Sequence, residues 1–529
     1  MRNSTILLLA GALLLGGCQE LDVANPNLPD RERATSNPSD VQSLISTQMV
    51  RFFRNNQFNY PTGALTAIVD NTTGGFLDYA VAELSEEPRI AWNNSPLNTR
   101  DAVNDQPWGN YYGIISSVHD GLQAIDSGIE IIGDNNANHT PRARAFAMMM
   151  QGLSYGYLGL LFDKAVIVRE FDDLETKDLM EYEPYAVVID TAVAMLDDAI
   201  AIMTSNSFTV PGSPDWINGQ SMSSAELARL ANSYAARFIA NSARTWEERA
   251  AVDWNEVIRR IDAGITSDFA PIGILESWES DYRRLLARVR TNPGDHWRMD
   301  YIALGPADST GAFQAWFAAP SQDRMPFQME TADRRIHADG QPGVGGKYFA
   351  YHRTNLFPAS RGTYRWSWYY YNRSGAGESW YTGEQPTLTV DEMNLLKAEA
   401  LIRLGRADEA VPLINITRVA NGELPPVTID GPPDAYDCVP KQMDGDCGSL
   451  WDAWKHEVHL EMAGIEGQQI YFWLRGNGQM QQGSPVHFPL PGTELENLGL
   501  PLYTFGGNQD GAAPAPQYHR CPVALARCE

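Results

Sequence analysis

From Thr389 the chain carries a pattern that a pair of antiparallel helices satisfies and a strand does not. Thr389 and Glu392 have the spacing of a capping box, in which hydroxyl and carboxylate each accept from the other residue's amide. Leu395-Leu396-Lys397-Ala398-Glu399-Ala400-Leu401 then continues a helical period up to Leu404-Gly405-Arg406, where the glycine ends it. Ala407, Ala410, Leu413 and Val419 mark a partner helix, with Pro412 inside it predicting a kink or a late start. Alanines let such helices approach closely, the small-residue placement of a tetratricopeptide-like repeat. Further helices are predicted near 41–55, from Trp108 to Ile125, from Thr140-Pro141 through Phe162, and over 185–203. A Ser223–Glu226 capping box opens another to about Arg244. Two more are predicted from Asp253 to Ala263 and over 450–474. The predicted fold class is therefore mainly α, a tetratricopeptide-like α-α superhelix with long loop-rich insertions. Residues 41–270 read as an N-terminal helical scaffold, 271–385 as a loop-rich aromatic insertion, and 386–529 as a C-terminal region of helices and irregular tail.

The N-terminus points to export. Arg2 precedes an apolar run, Ile6 to Leu15, too short to span a bilayer and suited to a signal peptide. It ends Leu15-Gly16-Gly17-Cys18, small residues before a cysteine, as a lipoprotein signal peptidase requires. Residues 1–17 are then the signal peptide, Cys18 the lipidation site (palmitate and related acyl chains), and 18–40 a tether rich in Asn, Pro, Asp and Ser. An ordinary secretory signal with an incidental cysteine is the alternative. Position 19 is Gln rather than Asp, so nothing there asks for inner-membrane retention, and Glu20 and Asp22 follow. Cys438, Cys447, Cys521 and Cys528 fit disulfides in an oxidising compartment, with local pairing expected among three connectivities. Zinc is the rival, but no Cys-x-x-Cys spacing is present. A net charge of −26 argues against nucleic acid and against docking on anionic lipid through a basic face.

Tyr364 to Arg373, Tyr-Arg-Trp-Ser-Trp-Tyr-Tyr-Tyr-Asn-Arg, is the densest aromatic cluster. Sugars present apolar C–H faces to flat rings and hydroxyls to amides and guanidiniums, so Trp366, Trp368, Tyr370 and Arg373 are candidate ligand-binding residues. Their alternation equally fits a buried strand. Trp92, Asn93 and Asn94 offer the same chemistry in smaller form, while Trp278, Trp297 and Trp316 read as loop or core anchors.

Several enzyme-like patterns read as structure. Gly152-Leu153-Ser154-Tyr155-Gly156 matches a serine elbow but lies in a helical stretch, so its small residues suit a helix contact. His456 and His459 are one residue closer than zinc-protease histidines and read as a polar helix face. Asp281-Tyr282-Arg283-Arg284, with Arg288 and Arg290, reads as a solvated helix face, and Gly343 to Lys347 as a flexible turn. No catalytic residue, no metal site and no cofactor are assigned, although Asp134-Asn135-Asn136 and Asp444-Gly445-Asp446 could hold structural Ca²⁺.

Four stretches resemble the SusD/RagB family of outer-membrane nutrient-binding lipoproteins. They are Cys18 with Leu21-Asp22-Val23-Ala24-Asn25-Pro26-Asn27; Trp108-Gly109-Asn110-Tyr111-Tyr112-Gly113-Ile114-Ile115; Tyr381 to Arg418, ending Asn415-Ile416-x-Arg418; and Glu457 to Arg475 followed by Phe488-Pro489-Leu490-Pro491-x-x-Glu494. In the last, Glu466-Gly467 is kept, but Gln469 stands near the family's arginine and Trp473 precedes Leu474. The resemblance implies a lipid-anchored, cell-surface protein of the outer membrane, without enzymatic activity. It would bind an oligosaccharide or other nutrient and pass it to a SusC-like TonB-dependent transporter. A lipid-anchored hydrolase of a polysaccharide is the alternative.

Overall fold

Apolar residues recurring every three to four positions build the helices that carry this fold, and small residues decide how closely they pack. The structure, a computed structural model, describes residues 35–57, 60–74, 80–174, 176–287, 297–336, 345–351, 367–373, 382–466 and 468–528. Cys18, Arg288, Arg290, Trp366, Tyr381 and Gly467 lie outside the described residues.

Two short helices, α1 (Pro38–Ser46) and α2 (Gln48–Gln57), replace the single one predicted, the chain breaking at Thr47. They lie across α3 (Ala102–Asp126). From α3 each element packs on the next: α4 (Thr140–Leu161), α5 (Tyr185–Ser205), α6 (Ser224–Asn241), α7 (Trp254–Asp262), α8 (Val390–Arg403) and α9 (Ala407–Ala420). The last two also pack on α10 (Leu450–Glu461).

Glycines set the closest approach. A Cβ at Gly152 would stand 3.0 Å from the Ala192 carbonyl, and one at Gly156 would stand 2.1 Å from the Phe238 ring. The serine-elbow pattern is thus a buried helix contact, and Ser154 donates to the Met150 carbonyl at 2.8 Å. Gly405 takes the left-handed conformation (φ +73°) that turns α8 into α9. Pro412 lies inside α9, which starts before it at Ala407.

Other expectations are corrected. The predicted 450–474 helix is two, α10 and α11 (Gln468–Gly476). Ser223 and Glu226 form the full capping box, but at α8 only half of one forms. Thr389 accepts from the Glu392 amide, while the Glu392 carboxylate pairs with Arg237 at 2.6 Å. Asp281, Tyr282 and Arg283 are buried rather than solvated, because Arg283 donates to the carbonyls of Gly464 and Pro386 and to Gln385.

The described part of residues 271–385 contributes Tyr282, Trp297, Tyr301, Phe313, Trp316 and Phe349 to a second hydrophobic cluster, which Ala67, Val81, Val439 and Leu460 complete from outside it. Two antiparallel ladders frame it, Thr72–Gly74 with Trp297–Met299 and Phe349–Tyr351 with Tyr369–Tyr371. Buried ion clusters fasten it to the helices. Arg335 reaches Asp333 at 2.8 Å, Glu457 at 2.5 Å and Glu461 at 2.8 Å, the last two on α10. Arg237 on α6 joins Glu392 and Glu466, and Arg249 joins Glu399 on α8.

Candidate functional site

Asp452, Lys455, His456 and His459 follow one another at i, i+3, i+4 and i+7 along α10, so helical geometry places all four on one face. That face lines a narrow cavity of about 80 Å³. Opposite stand Ile302, Phe313 and Phe317, with Val69 and Leu474 also in the lining.

Loop residues Pro440 to Met443 form another wall, pinned at several points. The Cys438–Cys447 disulfide closes the loop. The Lys441 amide donates to the Pro306 carbonyl at 2.7 Å, and Gln442 donates to Asp452 at 3.0 Å and to the Arg527 carbonyl at 2.8 Å. Opening the disulfide with Cys438→Ser/Cys447→Ser frees a short loop and is expected to cost about 2–3 kcal/mol. It should also weaken any ligand held by this wall, and unchanged thermal stability would refute the estimate.

The electrostatics are settled locally. Burial works against the charge of Asp452, but Lys455 at 2.7 Å and the Ser449 amide and hydroxyl overcome it and pull the carboxyl down to about 2. Burial, with His456 and Lys455 nearby, lowers His459 to about 3, so its imidazole is neutral at pH 7. His459 Nδ1 lies 3.1 Å from Asn71 Oδ1 and His456 Nε2 lies 2.8 Å from Asp333. Both histidines are buried, not on the polar surface face predicted for them.

Tyr518 stands at the edge of the cavity. Its carbonyl accepts from Lys455 at 2.7 Å, and its ring meets Phe317 edge-on at 6.0 Å. Its hydroxyl accepts from Gln481 at 2.6 Å. Gln481 also lines an open groove of about 1030 Å³ whose rim includes Gln482, Asn508, Ser321 and Glu87. An aromatic-walled cavity and an amide-rich groove thus meet at Tyr518 and Gln481. Half-exposed rings can cover C–H faces there, and amides can satisfy hydroxyls.

The residues singled out by sequence stand elsewhere. Trp92 is 4 % exposed and packs edge-on against Phe488 at 5.7 Å. Asn94 is buried and donates to the Leu490 and Tyr503 carbonyls, and Asn93 accepts from the Ser95 amide. Trp92 and Asn94 therefore tie residues 92–94 to the C-terminal tail, correcting the expectation of an exposed stacking face. Tyr370 is a buried strand residue opposite Ala350, and half-buried Trp368 packs edge-on against Tyr351. Arg373 pairs with Glu461 at 3.1 Å and lies over the Tyr348 ring. Tyr370 follows the buried-strand alternative, Trp368 and Arg373 flank that strand half-buried, and Trp366 lies outside the described residues. Trp278, Trp297 and Trp316 are buried anchors.

Cys521 and Cys528 are also bonded, so local pairing holds for all four cysteines and the zinc alternative falls. Residues Asp134–Asn136 form a 3₁₀ turn, and Asp444 accepts from the Asp446 amide within a turn. Among the described residues no group of three or more His, Cys, Asp or Glu side chains is arranged to hold a metal ion. Phe317, Gln481 and Tyr518 were missed because each stands alone in sequence. The four-residue α10 face was the one periodic signal for the cavity.

No family model matches the sequence, and no curated protein matches it. Solved structures match the fold. A SusD-superfamily protein from Bacteroides thetaiotaomicron is 15% identical with a TM-score of 0.55, covering 87% of this chain and 96% of its own. Another from Bacteroides vulgatus is 13% identical with a TM-score of 0.54, covering 87% and 97%. A candidate sugar-binding protein from Bacteroides vulgatus is 12% identical with a TM-score of 0.50, covering 83% and 86%. The chain has the mainly α fold of the SusD superfamily.

Proposed function

We propose that this chain is a surface binding protein that captures an oligosaccharide at the Tyr518 cavity and groove and releases it uncleaved to a transporter. The observation that carries the reading is the meeting of the Phe317 and Tyr518 rings with the Gln481, Gln482 and Asn508 amides, in a chain with the SusD-superfamily fold. The likeness to a candidate sugar-binding protein supports a saccharide ligand. Lipid on Cys18 anchors the protein to the outer membrane, facing the cell exterior, and a SusC-like TonB-dependent barrel receives the ligand. Among the described residues no helix is long and apolar enough to cross a membrane, so in this reading the acyl chains hold it there.

Asp452 is the carboxylate in the cavity lining, and at about 2 it carries no proton to donate near neutral pH, so it does not suit a hydrolase's general acid. The test is calorimetry of the chain without residues 1–18 against a panel of neutral oligosaccharides, with product analysis of each mixture. Saturable binding without cleavage is expected, weakened about tenfold by Tyr518→Ala, the scale of one lost aromatic contact. Steady release of cleaved product would overturn the reading in favour of the hydrolase.

A further inference from the structure

A second cavity, of about 440 Å³, opens between α2 and α3. Arg51, Arg54 and Asn55 face it from α2, Gln106 and Asn110 from α3, and Ser277 from a third segment. In a chain of net charge −26 most buried guanidiniums described above lie against carboxylates. Among the described residues, neither Arg51 nor Arg54 has a carboxylate partner, and this lining holds no acid. Arg51 is half-buried, with one donated bond, a long 3.5 Å contact to the Gly109 carbonyl. Its guanidinium lies flat on α3, where a Cβ at Gly113 would stand 2.2–2.4 Å from it. Gly113 thus makes the slot that holds the charge in place, and Gly109 supplies the carbonyl beside it. Asn55 is 2 % exposed, accepts from Asn110 at 3.0 Å, and its own amide NH₂ has no partner among the described residues. Burial lowers the Arg51 pKa, which marks a cation short of solvation.

We infer that this cavity binds the carboxylate of an acidic sugar residue. Arg51 and Arg54 supply the forked donors that match a carboxylate. Asn55, Gln106, Asn110 and Ser277 supply the donors and acceptors that a ring's hydroxyls require. This rim of amides and a hydroxyl favours a sugar acid over an acidic peptide, because a glutamate side chain presents no ring of hydroxyls for them to satisfy. The site is separate from the Tyr518 cavity, and the choice of a sugar rests on the glycan-binding reading above.

The test titrates the chain without residues 1–18 with oligogalacturonate and with oligoglucuronate, each beside its fully methyl-esterified form. Saturable binding of one acid form is expected, weakened at least tenfold by esterification and at least fivefold by Arg54→Gln. Arg54 is exposed, so its loss leaves the fold intact. Gly113→Ala, which displaces Arg51 without removing it, should weaken binding similarly, and sulfate at equal concentration should compete poorly. The inference is overturned if neither acid form saturates, if Arg54→Gln and Gly113→Ala both bind unchanged, or if sulfate or a glutamate-rich peptide binds as tightly as the sugar. Tyr518→Ala distinguishes the two proposals. It should weaken neutral-sugar binding about tenfold and spare the acidic site, so either proposal can fail with the other intact.

Discussion

Arg335→Met is expected to destabilise the protein by about 3–5 kcal/mol at pH 7, because it takes from Asp333 and Glu457 the guanidinium they share in the interior. Asp333, Arg335, Glu457 and Glu461 are all fully buried, and Arg335 is the cation that Asp333 and Glu457 share. Burial pushes the Asp333 carboxyl upward, but Arg335 and then His456 outweigh it and hold it well below the usual carboxylate range. A carboxyl depressed in the folded state contributes stability that is present above its unfolded pKa, about 4, and lost as pH falls through the folded value. The native protein should therefore gain nothing from Asp333 on acidification from pH 7 to 5. In the variant the sign reverses. Without Arg335 burial dominates at Asp333, its carboxyl rises above its unfolded value, and protonation relieves it as pH falls. Urea midpoints at pH 7 and pH 5 check this. The variant should recover part of its loss at pH 5, whereas a native-like midpoint at pH 7 would show that Arg335 carries no such burden.

The same cluster shows where sequence was legible and where it was not. Helix α5, the Ser223 cap, the Gly405 turn and the Gly152–Gly156 contact all rest on spacings within a few residues, and all are present. Glu392 and His456 were misplaced because each is neutralised from far along the chain, His456 by Asp333 and Glu392 by Arg237. No local pattern distinguishes a buried charge with such a partner from a solvated one. Aromatic density failed for a related reason. Burial of apolar rings is the main drive to fold, so dense rings mark a core first. Tyr370 and Trp92 accordingly lie inside, while the rings at the candidate site, Phe317 and Tyr518, come from a short helix and the C-terminal tail, which only the fold brings within 6.0 Å.

Arg237→Met is expected to cost a similar 3–5 kcal/mol, and its rescue would reveal what the buried pair is for. Arg237 forks onto Glu392, with Nε to Oε1 at 2.8 Å and Nη2 to Oε2 at 2.6 Å, and reaches Glu466 at 2.6 Å and Tyr157 at 2.9 Å. Even so, burial outweighs the arginine and leaves the Glu392 carboxyl above its ordinary value. At Arg237 the partners outweigh burial and hold the guanidinium charged, well above its ordinary value. Breaking the pair is costly, yet replacing it whole is not. Arg237→Met/Glu392→Met should then be more stable than Arg237→Met alone, with a coupling of about 1–3 kcal/mol. It should still fall short of the native chain, because Glu466 keeps only Tyr157 and the Gln468 amide as partners. Chemical denaturation of the four-member cycle measures this. Additive losses would mean that the two side chains act independently. A positive coupling would assign the pair to fixing the register of α6 against α8, at the point where the chain returns from the insertion to the helical stack.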